Sequence, residues 1–153
     1  MILSRSSEYA LQAMIYLAAA SPNQPVQNSD VAEFLGVPAP YLTKLLQRFV
    51  RAGLAESRRG RGGGYSITAK GRLASVRSLV EVIDGDQAFV GCLLGLKRCE
   101  DASACPVHFS WSPLKAKLLT LLESCTLEEM AQQVRSGKYR LVSPAVTGRR
   151  LSS

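Results

Sequence analysis

A basic, glycine-rich turn most narrows what this chain can fold into. Leu54 to Ser57 reads as a short strand, and RRGRGGGYSI (58–67) turns and returns as a second. Only glycine lets a backbone fold so tightly or approach a phosphate so closely. Arg58, Arg59 and Arg61 at the tip can pair with phosphates or enter a minor groove. The segments before the hairpin give it a context. Residues 4–20 carry Tyr9, Ala10, Ala13, Met14 and Leu17 at helical spacing, and Ser21-Pro22 ends the run. DVAEFLG (30–36) follows as a short helix with Val31, Phe34 and Leu35 inward, capped by Asn28 or Ser29. Gly36-Val37-Pro38 breaks the chain. A third helix, Pro40 to Ala52, places Leu42, Leu45, Leu46 and Phe49 on one face. Tyr41, Thr43, Lys44, Gln47, Arg48 and Arg51 lie on the other. Two short helices joined at a tight glycine turn, the second basic outside and followed by a basic hairpin, predict a winged helix-turn-helix. Its partner would be double-stranded DNA, touched by Tyr41, Thr43, Lys44, Arg48, Arg58, Arg59 and Arg61.

Charge agrees with that placement. The formal net charge is +7, and through residue 77 there are ten Lys/Arg against four Asp/Glu. Beyond it the count is nearly balanced, nine against eight, so the basic excess belongs to the DNA-binding half.

The C-terminal half is read as helical. A helix from about Leu73 to Ile83 ends at Asp84-Gly85. Residues 109–124 form the longest late helix, with Trp111, Leu114, Leu118, Leu121 and Cys125 spaced by three and four. Leu119 and Leu122 widen its apolar face. Such a seam suits a partner helix from a second subunit, with burial against its own domain as the alternative. Thr126-x-x-Glu129 is a capping box for a last short helix, and the chain from Ser136 reads as a mobile tail. The expected architecture is mainly α with a small β wing: a winged helix-turn-helix domain over 1–85 and a cysteine-rich loop over 86–108. A dimerisation helix with a short helix over 109–135 and a flexible tail over 136–153 complete it.

The loop holds the chemistry. CLLGLKRCEDASACPVH (92–108) contains three of the four cysteines and the single histidine, spaced C-x6-C-x5-C-x2-H. With Gly91, Gly95 and Pro106 it has little to bury, so something other than packing must fix its shape. Cys92, Cys99, Cys105 and His108 converging on a metal would do so. The long spacings exceed a zinc knuckle and suit an iron–sulfur cluster, while structural zinc and unligated thiols stay open. Lys97 and Arg98 lie where positive charge favours thiolate. Cys125, at a seam position, reads first as a small hydrophobe and only then as a ligand. No C-x-x-C is present, which argues against a thiol-redox enzyme. No apolar run is long enough to span a bilayer, and Glu8 with no small-residue cleavage pattern argues against a signal peptide. The expected location is the cytoplasm, where four cysteines serve as ligands or reactive thiols rather than disulfides.

With RGRGGGY at 59–65, VIDG at 82–85, the three-cysteine loop with His108, and TLEEM at 126–130, the chain resembles the IscR, NsrR and RirA family of iron–sulfur transcriptional regulators. The likeness runs from Ser4 to about Val134. It implies a homodimeric winged-helix regulator with no enzymatic activity. It also implies Cys92, Cys99 and Cys105 as ligands, with His108 matching the histidine of the IscR branch, which carries a [2Fe–2S] cluster. In the NsrR branch the fourth ligand is an acidic residue of the first helix. Glu8 stands at that place here, which leaves a [4Fe–4S] cluster open. The six residues between Cys92 and Cys99 depart from IscR-like proteins, which tend to have fewer.

Overall fold

The computed structural model describes residues 3–20, 24–85, 89, 91–96 and 99–141. Seven α-helices and one hairpin are seen among these: α1 (Arg5–Ala19), α2 (Asn28–Leu35), α3 (Ala39–Arg51), β1 (Ala55–Arg58), β2 (Gly64–Ile67), α4 (Ala69–Arg72), α5 (Val76–Asp84), α6 (His108–Ser124) and α7 (Leu127–Arg135). The architecture is mainly α with a small antiparallel β wing, as the pattern predicts. The predicted ends at Ser21-Pro22, the charges Lys97 and Arg98, and most of the tail (142–153) lie outside the described residues.

Helix α1 is the hub. Ser4 caps it by accepting from the Ser7 backbone N–H, and Ala10, Ala13, Met14, Leu17 and Ala18 are buried along it. These small and linear side chains let α2, α3, α5, α7 and β2 all pack around it. The inward face of α3 is as predicted, with Leu42, Leu45, Leu46 and Phe49 all buried. Gly36, with φ +66°, ends α2 in the left-handed conformation that residues with a Cβ avoid, and so makes the tight turn into α3.

The cap expected at Asn28 or Ser29 is not made. Gln27 occupies the cap position without a side-chain bond, and Asn28 lies in the first turn. Its Nδ2 instead donates to the Ala39 carbonyl and Thr43 Oγ1, at 2.9 and 3.0 Å, tying α2 to the start of α3. The helix expected over 73–83 starts later, as α5 from Val76, and a separate one-turn helix that was not expected, α4 (Ala69–Arg72), precedes it. Thr68 and Ser75 each accept a backbone N–H in their own first turn, so α4 closes after one turn and α5 begins anew. The first strand lies one residue later than predicted, and the second ends at Ile67 as read, with Ala55 opposite Ile67 and Arg58 opposite Gly64. Val26 adds a third rung beside it, exchanging backbone hydrogen bonds with Tyr65 at 2.9 and 2.8 Å.

The capping box is present as read: Thr126 accepts from the Glu129 N–H, and the Glu129 carboxylate accepts from the Thr126 N–H. Glu128, beside it, pairs with Arg72 of α4 and Arg135 of α7, each at 2.5 Å. Both arginines also donate to the Ala18 carbonyl at the end of α1. Burial pushes the Glu128 carboxyl up, but the two arginines outweigh it and hold it below the usual range. A depressed folded-state pKa gives stability that is present above the unfolded value and is lost as pH falls through the folded one. Glu128→Gln should therefore cost about 1–2 kcal/mol near neutrality, the worth of a hydrogen bond to charge. Urea unfolding of both proteins should converge as the pH drops below the carboxylate range. A constant difference at every pH would contradict this role.

Candidate nucleic-acid interface and thiol centre

The outer face of α3 divides into side chains already engaged and side chains free to meet a ligand. Tyr41 is half-buried; its hydroxyl shares a 3.0 Å hydrogen bond with Ser6 Oγ, and its ring meets Tyr9 edge-on. Thr43 donates to Ala39 and accepts from Asn28, so its hydroxyl fixes the angle between α2 and α3. Gln47 reaches Tyr65 Oη at 3.1 Å, linking α3 to the wing. Arg48 turns aside to the Ile83 carbonyl at 2.5 Å. Lys44 is exposed, as are Arg58, Arg59 and Arg61 at the wing. The wing tip depends on glycine where the space is smallest: a Cβ on Gly63 would stand 2.2 Å from the Arg58 carbonyl oxygen. Together α3 and the wing expose cationic side chains of the kind that pair with phosphate.

The thiol centre lies in the segment between α5 and α6, with His108 at the start of α6. Cys92 and Cys105 are buried, and their sulfurs stand 3.7 Å apart. Cys99 Sγ lies 3.6 Å from His108 Nδ1, and His108 is the first residue of α6, 2% exposed. The other ring nitrogen, Nε2, is 2.7 Å from Asp101 Oδ1. The carboxylate accepts from Nε2–H, an arrangement in which a neutral ring turns its Nδ1 lone pair, the one able to ligate a metal, toward Cys99. Asp101 opens a 3-10 turn, Asp101–Ser103, and the sequence reading did not single it out. Its place two residues after Cys99 was the available signal. A bond from the Leu94 N–H holds the Cys92 thiol below its ordinary range. Burial opposes that shift, while the Leu96 N–H, Cys105 and the Lys115 charge reinforce it. Trp111, one turn beyond His108, has a buried indole N–H without a partner among the described residues.

The four donors thus come as two pairs rather than one group. No set of three or more Cys, His, Asp or Glu among the described residues is close enough to hold a single ion. Two sulfurs about 2.3 Å from one tetrahedral metal are separated by about 3.8 Å, and a sulfur and an imidazole nitrogen by about 3.6 Å. Each observed pair has the separation of two ligands on one metal. Glu8 is on α1, paired with Arg5 Nη1 at 3.3 Å. Cys125 caps the end of α6, where its carbonyl accepts from the Val76 N–H, and its side chain packs beside Val76, Val80 and Phe89.

Comparison with known proteins decides the family. Residues 3–133 match the Rrf2 family model, described as an iron-dependent transcriptional regulator. The chain belongs to the Rrf2 family. Among Rrf2-like relatives, the HTH-type transcriptional regulator IscR of Vibrio vulnificus (strain YJ016) is 31% identical over 130 residues, covering 85% of this chain and 77% of that protein. IscR of Yersinia pestis bv. Antiqua (strain Angola) is 30% identical, covering 85% and 79%. In structure, the T. potens IscR has a TM-score of 0.69 at 28% identity, covering 90% of this chain and 91% of that one. CymR, the global cysteine regulator of B. subtilis, has a TM-score of 0.71 at 25% identity, covering 86% and 96%. This Rrf2 chain is a DNA-binding transcriptional regulator of the IscR/CymR type and not an enzyme. None of its described helices is long and apolar enough to cross a membrane.

Proposed function

We propose that this Rrf2 regulator acts as a cytoplasmic homodimer whose affinity for a pseudo-palindromic operator is set by a [2Fe–2S] cluster. Cys92 and Cys105 would hold one iron, and Cys99 with His108 Nδ1 the other. The observation that carries this reading is the pairing of donors, at 3.7 and 3.6 Å. A single structural zinc would need all four at one point. When bound, such a cluster supplies a one-electron couple and four anchor points for a loop that packing alone holds weakly. The protein's part is to favour the thiolate of Cys92 and to orient the His108 ring through Asp101. It also sets the loop's shape against the DNA-binding domain. Occupancy affects DNA only through a difference in affinity between two arrangements of the wings.

The ligand set is tested by anaerobic purification with iron and acid-labile sulfide analysis and a visible spectrum. The protein should be coloured, with iron and sulfide in equal amounts. His108→Ala should make the cluster labile or change its spectrum, and Glu8→Ala should leave it intact. A colourless zinc protein would contradict the cluster, and the reverse pattern of the two variants would move the fourth ligand to Glu8.

On the DNA side, Lys44 is placed to read bases at the start of α3, with Tyr41 and Thr43 setting its presentation, while Arg58, Arg59 and Arg61 hold phosphates. Arg59→Ala should weaken binding to every sequence and lower the slope of log K against log salt by about one. Lys44→Ala should reduce discrimination between operator and random DNA. An unchanged salt slope in Arg59→Ala would remove the wing from the interface.

A further inference from the structure

Three long-range side-chain bonds meet at the last turn of α5. Arg48 of α3 donates through Nη1 to the Ile83 carbonyl at 2.5 Å. Ser4 and Ser7 of α1 donate to the two carboxylate oxygens of Asp84 at 2.7 and 2.8 Å. Ser7 is fully buried, and Ser4 simultaneously caps α1. Gly85 follows with φ +85° and ψ 172°, a conformation that favours glycine, and ends α5 ahead of the cysteine loop in the chain. The VIDG segment is therefore the junction where the cysteine loop leaves the DNA-binding domain.

An arginine on a helix C-terminus is ordinarily a local stabiliser. Here the partners are not local. One comes from the helix that carries the DNA-facing side chains, and the other two from the hub helix against which α2, α3 and α5 pack. Lys44, Arg48 and Arg51 share the outer side of α3, yet Arg48 turns to α5 instead of pointing with Lys44. The same turn is packed beneath by Ile83, Leu79 and Phe49 in one core cluster. A shift in where the chain leaves Gly85 must then either carry α3 with it or break the bond to Arg48.

We infer that the Ile83–Gly85 turn transmits the state of the thiol loop to α3, with Arg48 and Asp84 as the positioning residues of that link. The inference rests on the reading of the loop as the sensor. Holding the loop in one shape selects one path out of Gly85. Asp84 references that path to α1, and Arg48 passes it to α3. Arg48 acts through the turn, not by contact with phosphate.

The test compares operator affinity of the full-length protein with its cluster and after the cluster is removed by chelation, for wild type, Arg48→Met and Asp84→Asn. A coupling of ordinary size is about 5- to 150-fold, and in both variants it should fall below about threefold. The loaded variants should keep the wild-type visible spectrum, because Arg48 bonds to α5 and Asp84 to the start of α1, and neither bonds to a proposed donor. If Arg48 is a phosphate contact, Arg48→Met weakens both forms equally, the ratio stands, and Asp84→Asn does nothing; that outcome overturns the link. If wild type itself shows no difference between the two forms, the sensing role fails, and hydrogen exchange then judges the link alone. Asp84→Asn should raise exchange in the C-terminal half of α3, remote from the substitution. Unchanged exchange there would overturn it.

Discussion

Gly64→Ala is expected to dismantle the wing. A Cβ at this position would stand 2.2 Å from the Val26 carbonyl oxygen, and the backbone is at φ +147°, where a side chain is strained. Both penalties fall on the rung where Val26 and Tyr65 exchange hydrogen bonds and fasten the hairpin to the start of α2. Relief requires that rung to open, which frees Tyr65 from Gln47 and the wing from α3. A cost of about 2–4 kcal/mol follows from the strain and the lost backbone pairing. Specific and non-specific DNA binding should fall together, because the arginines of the tip lose their placement. Urea unfolding and a filter or anisotropy titration measure the two effects. Wild-type stability with wild-type binding would show that the close approach does not hold the wing.

The second large effect concerns association. Of the residues in α6, only His108 is buried in the single chain. The helix touches its own domain through Leu119 and Leu122, which pack against Val76, Val80 and Phe89. Leu114 and Leu121 remain 59% and 56% exposed, and Phe109 74%. These two leucines belong to the seam read from the sequence and are left without cover within the chain. Leu114→Lys with Leu121→Lys should leave the monomer's circular dichroism and thermal unfolding almost unchanged, since both side chains face outward. In the proposed dimer each lysine would have to enter an apolar seam at a cost of about 2 kcal/mol or more, and two on each protomer together weaken association by about a thousandfold or more. Sedimentation velocity should show monomer at concentrations where wild type is dimeric. A persistent dimer would place the interface on another face.

Periodicity and turn chemistry made most of the frame legible. The α3 core face, the wing and the Thr126 capping box depend on local spacing, which a sequence displays directly. What escaped was set by contacts between distant segments. Asn28 abandons capping because α3 offers two partners, and Arg48 reaches across to α5 because the end of that helix offers a carbonyl. Pro113 stands inside α6, where it removes one backbone donor, and the helix read over 109–124 runs through it unbroken. At the thiol centre the donor types and their spacing were visible, but not their division into pairs. Asp101 was passed over because a carboxylate that orients a histidine has no fixed spacing from it.

The most direct test is a Mössbauer spectrum of the anaerobically purified, iron-57-labelled protein. With Cys92 and Cys105 on one iron and Cys99 and His108 on the other, two ferric sites of equal intensity with distinct quadrupole splittings are expected. The broader splitting should collapse toward the narrower, or the signal should be lost, in His108→Cys or His108→Ala. A spectrum of delocalised iron pairs from a [4Fe–4S] cluster, or a single site unaffected by His108 replacement, would contradict the paired-donor account.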